Sequence, residues 1–236
     1  MKFLIFQHIS VEGLGYFEEC FKKHGIDIDI HDFSKKDSDV TLKDYDSLWV
    51  LGGPMDTDQE EKFPWMRTEK NLISEAVLKR KIPFMGICLG CQLLAETLGG
   101  NIIRMKRPEI GVANVTLLDK ASSLFHNCPK TFKALHWHSY QATDLPDECD
   151  ILAKSNLCDI QAFSYQDHAF GIQFHLEETK DTVESWCTVP EYKKSLEQAL
   201  GSDGINYINK IVSNILPQSK EIAELIVKNF IKKIHK

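Results

Sequence analysis

Residues 82–90, Ile82-Pro83-Phe84-Met85-Gly86-Ile87-Cys88-Leu89-Gly90, run from an apolar stretch into a glycine-flanked cysteine. Ile82–Ile87 reads as a buried strand, and Leu93–Leu98 behind it reads as a helix. Cys88 therefore stands on the sharp turn between them, the nucleophile-elbow arrangement with cysteine in place of serine. Such a turn holds its central residue in a strained backbone, and glycines two positions to either side let neighbouring chain approach closely. A helix N-terminus behind Cys88 favours the thiolate, the reactive form of the side chain.

Upstream, the same alternation of short apolar runs and amphipathic stretches recurs. Lys2–Gln7 is a strand, and Leu14, Phe17 and Phe21 mark a helix closed by Gly25. Ile26–Ile30 and Ser47–Leu51 are further strands, the latter running into Gly52-Gly53-Pro54, and Trp65–Lys79 is a helix. Strand and helix in alternation predict an α/β fold, a parallel sheet with helices on both faces. From Ile110 to Phe174 the texture turns β-rich and predicts an antiparallel half. The last fifty or so residues are helical, with Ile222, Leu225, Ile226, Phe230, Ile231 and Ile234 predicted on one face. Glu221 and Glu224 are expected to open that final helix, and Lys228, Lys232 and Lys233 to close it.

A chain of 236 residues, 43% hydrophobic and 26% charged, is neither disordered nor fibrous in composition. Its 28 basic and 34 acidic side chains leave a net charge of −6, which repels phosphate backbones and anionic membrane surfaces. The one dense basic cluster, Arg104, Lys106 and Arg107, reads as a solvated strand end. No apolar run is long enough for a signal peptide or a membrane span. Seven scattered cysteines do not suit a disulfide framework. A cytoplasmic protein with reduced thiols is expected, with neither nucleic acid nor membrane as its partner.

A thiolate that attacks a carbonyl needs an acid/base, a group that orients it, and donors for the developing oxyanion. His175 stands at the end of the predicted strand His168–Phe174. Glu177, two residues on, falls on the same side if the extended alternation continues. The amide of Leu89 follows the nucleophile, and that of Gly53 is presented by the Gly-Gly-Pro turn at the carboxyl end of a strand, where open α/β sheets bind ligands.

With Gly52-Gly53-Pro54-Met55, Gly86-Ile87-Cys88-Leu89-Gly90 followed by Gln92, and Gly171-Ile172-Gln173-Phe174-His175-Leu176-Glu177 in this order, the chain resembles the class I (triad-type) glutamine amidotransferases. Within that family it is similar to free-standing proteins related to the glutaminase part of GMP synthase. The resemblance implies a flavodoxin-like sheet over residues 1–190, with a helical extension at 191–236 packed on it or on a partner. It implies Cys88 as nucleophile, His175 as acid/base, Glu177 as its orienter, and Gly53 and Leu89 as the oxyanion hole. Gln92 would touch the amino-acid end of the substrate, as would the backbone of Ser139 and Tyr140. The expected substrate is glutamine or a γ-glutamyl compound, and no cofactor is implied. Cys91 and Leu176 depart from the usual pattern of the family, and neither removes a reacting group.

A resemblance to a synthetase component implies an ammonia acceptor, yet no phosphate-binding G-x-x-x-x-G-K-[ST] loop is present. Three outcomes stand open: supply of ammonia to a separate synthetase subunit, hydrolysis of a γ-glutamyl amide or peptide, or glutamyl transfer. Two rival readings of the same residues are a Cys88/Cys91 redox pair and a zinc site of Cys88, Cys91, His136 and His138. Asp56 and Asp58 read as loop caps, and Trp65, Trp137 and Trp186 as packing residues, Trp137 also as a pocket wall.

Overall fold

The structure, a computed structural model, describes residues 1–35, 40–122 and 124–234. Its centre is one nine-stranded sheet. Strands β1 (Lys2–Gln7), β2 (Asp27–Asp32), β3 (Ser47–Val50), β4 (Phe84–Ile87), β5 (Asn101–Leu117), β6 (Thr131–Thr143), β7 (Cys149–Lys154), β8 (Ala162–Tyr165) and β9 (Ala169–Ile172) lie in the order β2-β1-β3-β4-β9-β8-β7-β5-β6. From β2 to β9 the pairing is parallel, which gives the flavodoxin-like order; from β9 to β6 it is antiparallel. An antiparallel bridge between Leu135 and His175 brings β6 back to the chain just beyond β9, so the antiparallel half curls over the carboxyl end of the parallel half.

The helices are α1 (Tyr16–Lys23), α2 (Trp65–Ser74), α3 (Leu89–Thr97), α4 (Thr182–Trp186), α5 (Pro190–Leu200) and α6 (Gly204–Ile234). Alternation along β1 divides the core. Phe3 and Ile5 pack with Phe17 and Phe21 of α1 and with Ile222, Ile226 and Phe230 of α6. Leu4 and Phe6 face the other way, onto Met66 and Ile73 of α2 and Leu93 and Leu94 of α3. A third cluster lies under α4, α5 and the first half of α6, where Leu135 and Trp137 meet Trp186, Leu196, Ile208 and Val212.

Several boundaries differ from those read in the sequence. Helix α3 begins at Leu89, directly behind Cys88, rather than at Leu93. The helix predicted over Trp65–Lys79 ends its α-helical part at Ser74 and finishes as a π-helical turn over Glu75–Lys79. Strand β5 begins at Asn101, and the exposed Arg104, Lys106 and Arg107 lie within it, beside a register shift between Arg104 and Glu109.

Helix α6 starts at Gly204 and runs through Pro217, so Glu221 and Glu224 sit in its middle and not at its N-terminus. Glu224 instead pairs with Lys23 and accepts a hydrogen bond from Tyr16 on α1. The buried face is Ile222, Ala223, Ile226, Val227 and Phe230; Leu225, Ile231 and Ile234 are half-buried beside it. No described helix is long and apolar enough to cross a membrane.

Candidate active site

The turn between β4 and α3 holds Cys88 at φ 50° and ψ −103°, a conformation disfavoured for any residue with a Cβ. The flanking glycines are required by proximity. A Cβ on Gly86 would stand 2.3 Å from the Gly90 carbonyl oxygen, and one on Gly90 would stand 2.1 Å from that of Val50. The chain thus folds back on itself across β3 and β4 and aims Cys88 over the carboxyl edge of the sheet. Leu89 is the first residue of α3, so its amide has no partner within the helix.

His175 and Glu177 lie side by side, as their spacing predicts. His175 Nδ1 is 2.6 Å from Glu177 Oε1, and Glu177 Oε2 accepts the Leu176 amide at 3.0 Å. With Nδ1 committed to the carboxylate, Nε2 is buried and makes no hydrogen bond of ordinary geometry. Burial opposes a charge on this ring, but Glu177 and Cys88 outweigh it and hold the imidazole pKa well above its usual value. Trp186 braces the ring edge-on at a centroid separation of 4.7 Å, and the His175 amide donates to the Leu135 carbonyl at 2.8 Å.

Gly53, Cys88, Leu89, Gln92, Ser139 and Tyr140 all line one cavity of about 150 Å³. Gln92 is buried there, its amide nitrogen 3.1 Å from Gln173 Oε1 and 3.4 Å from the Tyr140 carbonyl, so β6 and the segment beyond β9 fix it together. The Gly52-Gly53 loop is pinned from behind by His8, whose Nδ1 lies 2.8 Å from the Gly52 carbonyl and whose Nε2 lies 2.8 Å from Glu69 Oε1. Burial works against charge on His8, and the Glu69 carboxylate more than offsets it, so the pKa of the ring is raised.

With this geometry in view, comparison with known proteins gives a family. The profile of the glutamine amidotransferase class-I family matches residues 16–185. The chain belongs to that family. It is 34% identical over 136 residues to a glutamine-hydrolysing GMP synthase subunit of Methanocaldococcus jannaschii, across 55% of this chain and 71% of the relative. A glutamine amidotransferase-like protein of Salmonella typhimurium, YfeJ, is 34% identical over 146 residues and 60% of each chain. Among solved structures, a glutamine amidotransferase of Thermotoga maritima superposes with a TM-score of 0.87 at 29% identity over 98% of both chains.

Some residues that line the candidate site were not singled out in the sequence. Helix α5, beyond the matched segment, contributes Glu191, Tyr192 and Ser195 to the cavity lining. Trp137 forms the pocket wall expected of it, donating Nε1–H to Ser195 Oγ at 2.9 Å, and Ser195 donates to the Tyr192 carbonyl at 2.8 Å. Tyr192 donates its hydroxyl to Glu12, a buried carboxyl beside Gly52 whose pKa burial pushes upward. Asp56 also lines the cavity and, like a loop cap, accepts from Gln59 at 3.1 Å. Trp186 donates to the Val11 carbonyl, and Trp65 stacks on His8.

The structure gives the residues of the rival readings different surroundings. Cys88 packs in the core shared with α1 and α6, whereas Cys91 lies in the opposite core under α2 and α3. Burial, with Cys88 and Cys158 nearby, pushes the Cys91 thiol well above its usual pKa, the reverse of what thiol exchange needs. Neither cysteine joins His136 and His138; Glu109 does.

Proposed function

We propose that this protein cleaves the side-chain amide of glutamine, or the amide of a γ-glutamyl compound, through a thioester on Cys88. The observation that carries the reading is the His175–Glu177 contact of 2.6 Å, which leaves the buried Nε2 of the same ring without a hydrogen-bond partner beside the elbow cysteine. Cys88 Sγ attacks the amide carbon, and the carbonyl electrons move onto oxygen, where the Leu89 and Gly53 amides receive them. As the tetrahedral intermediate collapses, the C–N bond breaks and His175 gives its Nε2 proton to the departing ammonia or amine. Water then loses a proton to Nε2 and attacks the thioester. The C–S bond breaks, glutamate leaves, and the thiolate is restored. Glu177 holds the ring in the tautomer this cycle requires. Gln92 and the backbone of Ser139 and Tyr140 hold the α-amino and carboxylate end, and no cofactor takes part.

The fate of the amine follows two lines. Similarity to a GMP synthase subunit supports ammonia supply to a separate synthetase component. A self-contained γ-glutamyl hydrolase or transferase is supported by α5, because Glu191, Tyr192 and Ser195 of the 191–236 extension close the cavity from within the same chain. We therefore assign the extension to the site rather than to a partner. All seven cysteines stand as free thiols, which supports a reducing, cytoplasmic setting.

The test is release of ammonia and glutamate from glutamine and from a panel of γ-glutamyl dipeptides, beside the Cys88→Ala variant. Release from one of these that vanishes in the variant is the expected result, and the preferred substrate separates the two lines. Full activity in Cys88→Ala would overturn the mechanism.

A further inference from the structure

We propose that Glu109, His136 and His138 form a binding site for a first-row divalent cation, with Zn²⁺ the best match to the donors. The site shares His138 with the wall of the Cys88 cavity but includes none of Cys88, His175 and Glu177, and the strand register builds it. Glu109 on β5 lies opposite His138 on β6, and His136, two residues earlier, shares the face of His138. Gly111 is the residue opposite His136 and places no side chain in the way. The three side chains are buried, and one ligand atom from each lies within 4.8 Å of the others. Glu109 Oε2 is 3.4 Å from His138 Nε2 and 3.7 Å from His136 Nδ1. Bonds of about 2.0–2.1 Å in a tetrahedral arrangement set neighbouring donors about 3.3 Å apart, so the atoms stand near the edges of a zinc polyhedron before any ion arrives.

A hydrogen-bond network alone accounts for part of this cluster and not for the rest. Ser155 Oγ at 2.9 Å and Gln161 Nε2 at 2.7 Å both donate to Glu109 Oε2, Gln161 Nε2 also lies 3.5 Å from His138 Nε2, and His138 Nδ1 lies 2.9 Å from the Tyr140 carbonyl oxygen. The Tyr140 contact is the outer bond that fixes the tautomer of a ligating imidazole, whereas Gln161 and Ser155 hold the carboxylate at the oxygen that faces the two rings, so an ion binding there draws on Oε1 or displaces the Gln161 amide. His136 is the residue left over. It is 0% exposed, and neither ring nitrogen has a hydrogen-bond partner, the Ala113 carbonyl facing the ring without meeting that geometry. A buried imidazole aimed at a carboxylate and a second imidazole, and otherwise unanswered, is what a metal ion satisfies. Glu109 also lines an open cavity of about 780 Å³, which gives the ion a path. The bound ion would tie β5 to β6 one residue before Ser139 and Tyr140, and so fix the wall of the neighbouring cavity.

The experiment is equilibrium dialysis of the metal-stripped full chain against Zn²⁺, with metal counted by mass spectrometry. A Cys88→Ala background removes the reactive thiol as a competing ligand. One Zn²⁺ per chain is expected, with affinity reduced at least about 100-fold by Glu109→Gln and by His136→Phe. Circular dichroism checks the fold of each variant. Co²⁺ substitution in the Cys88→Ala chain, which needs neither of those changes, should give tetrahedral ligand-field bands without thiolate charge transfer. No stoichiometric Zn²⁺, unchanged affinity in folded variants, or a thiolate charge-transfer band would each overturn the site. None of these outcomes bears on glutamine cleavage, which the ammonia assay reads separately.

Discussion

Tyr192, on α5, donates its hydroxyl hydrogen to the buried carboxyl of Glu12, 180 positions earlier in the chain. Glu12 lies against Gly52, where a Cβ would come within 2.1 Å of its Oε2, and that hypothetical Cβ would in turn sit 3.5 Å from Cys88 Cβ. One hydrogen bond therefore joins the roof of the cavity to the loop expected to carry the oxyanion. Burial pushes both groups up, Glu12 above the usual carboxyl range and Tyr192 well above that of a phenol, so the phenol keeps its proton and remains a donor.

Tyr192→Phe removes that donor and leaves a buried carboxyl oxygen unanswered, which costs about 1–3 kcal/mol. The expected result is a lower urea midpoint with an unchanged slope, and a rise in KM for the amide substrate larger than the fall in kcat. Wild-type stability and KM in this variant would show that α5 does not hold the cavity.

The imidazole of His175 predicts a pH profile. Glu177 and Cys88 hold its folded pKa well above the usual value, so the charged ring persists to higher pH than a free imidazole does. On the proposed mechanism the activity falls as pH rises through that raised pKa, because the proton meant for the leaving group is lost. Glu177→Gln takes away a negative charge next to the ring, so the alkaline limb of kcat/KM should move to lower pH. The maximum should fall by about 10²–10⁴-fold, as expected when an orienting carboxylate is removed. An alkaline limb that stays in place would mean that another group carries it.

How much of this was legible depends on how far apart in the chain the cooperating residues lie. The elbow could be read because Gly86, Cys88 and Gly90 lie within five residues, and His175 with Glu177 because alternation along one extended segment sets them together. Glu12 with Tyr192, and His8 with Glu69, join elements that only tertiary folding brings into contact, and no local pattern records such pairs. Glu109 escaped for a related reason. The register shift between Arg104 and Glu109 sets which β5 residue faces His138, and exposed basic residues there read as the end of a strand. By periodicity and charge alone, α6 reads as a shorter terminal helix opening at Glu221. Pro217 breaks a helix in isolation, but here both halves are held by packing, Ile208 and Val212 in one core and Ile226 and Phe230 in another.

Gly90 offers a test of the elbow that leaves its reactive group in place. A methyl there would meet the Val50 carbonyl oxygen at 2.1 Å, backbone that cannot step aside without moving β3. Gly90→Ala should cost about 3 kcal/mol, the upper part of the range for overpacking, and should abolish activity although Cys88, His175 and Glu177 are all retained. The comparison is with Gly99→Ala at the end of α3. No atom crowds that position, and the cost there comes only from φ +92°. Thermal unfolding of the two variants should rank Gly90→Ala as the less stable, and only Gly99→Ala should keep amide cleavage.

Glu178, next to the expected orienter, links the site to α6 through its own titration. Burial pushes its carboxyl up to about 7, the charge on Glu177 adds to this, and the Ser219 hydroxyl on α6 opposes it. A folded pKa above the unfolded value means that the folded state holds the proton more tightly. The resulting stabilisation is complete below the unfolded pKa, near 4.5, and is lost as pH rises through about 7. Above that range a charged carboxylate is buried, with no salt-bridge partner among the described residues, at a cost of about 3 kcal/mol. Glu178→Gln keeps the shape and removes the titration. Its unfolding free energy should exceed that of the wild type at pH 8.5, and the gain should shrink as the pH is lowered to 5. A gain that stays constant across this range would assign the effect to packing against Ser219 rather than to the buried charge.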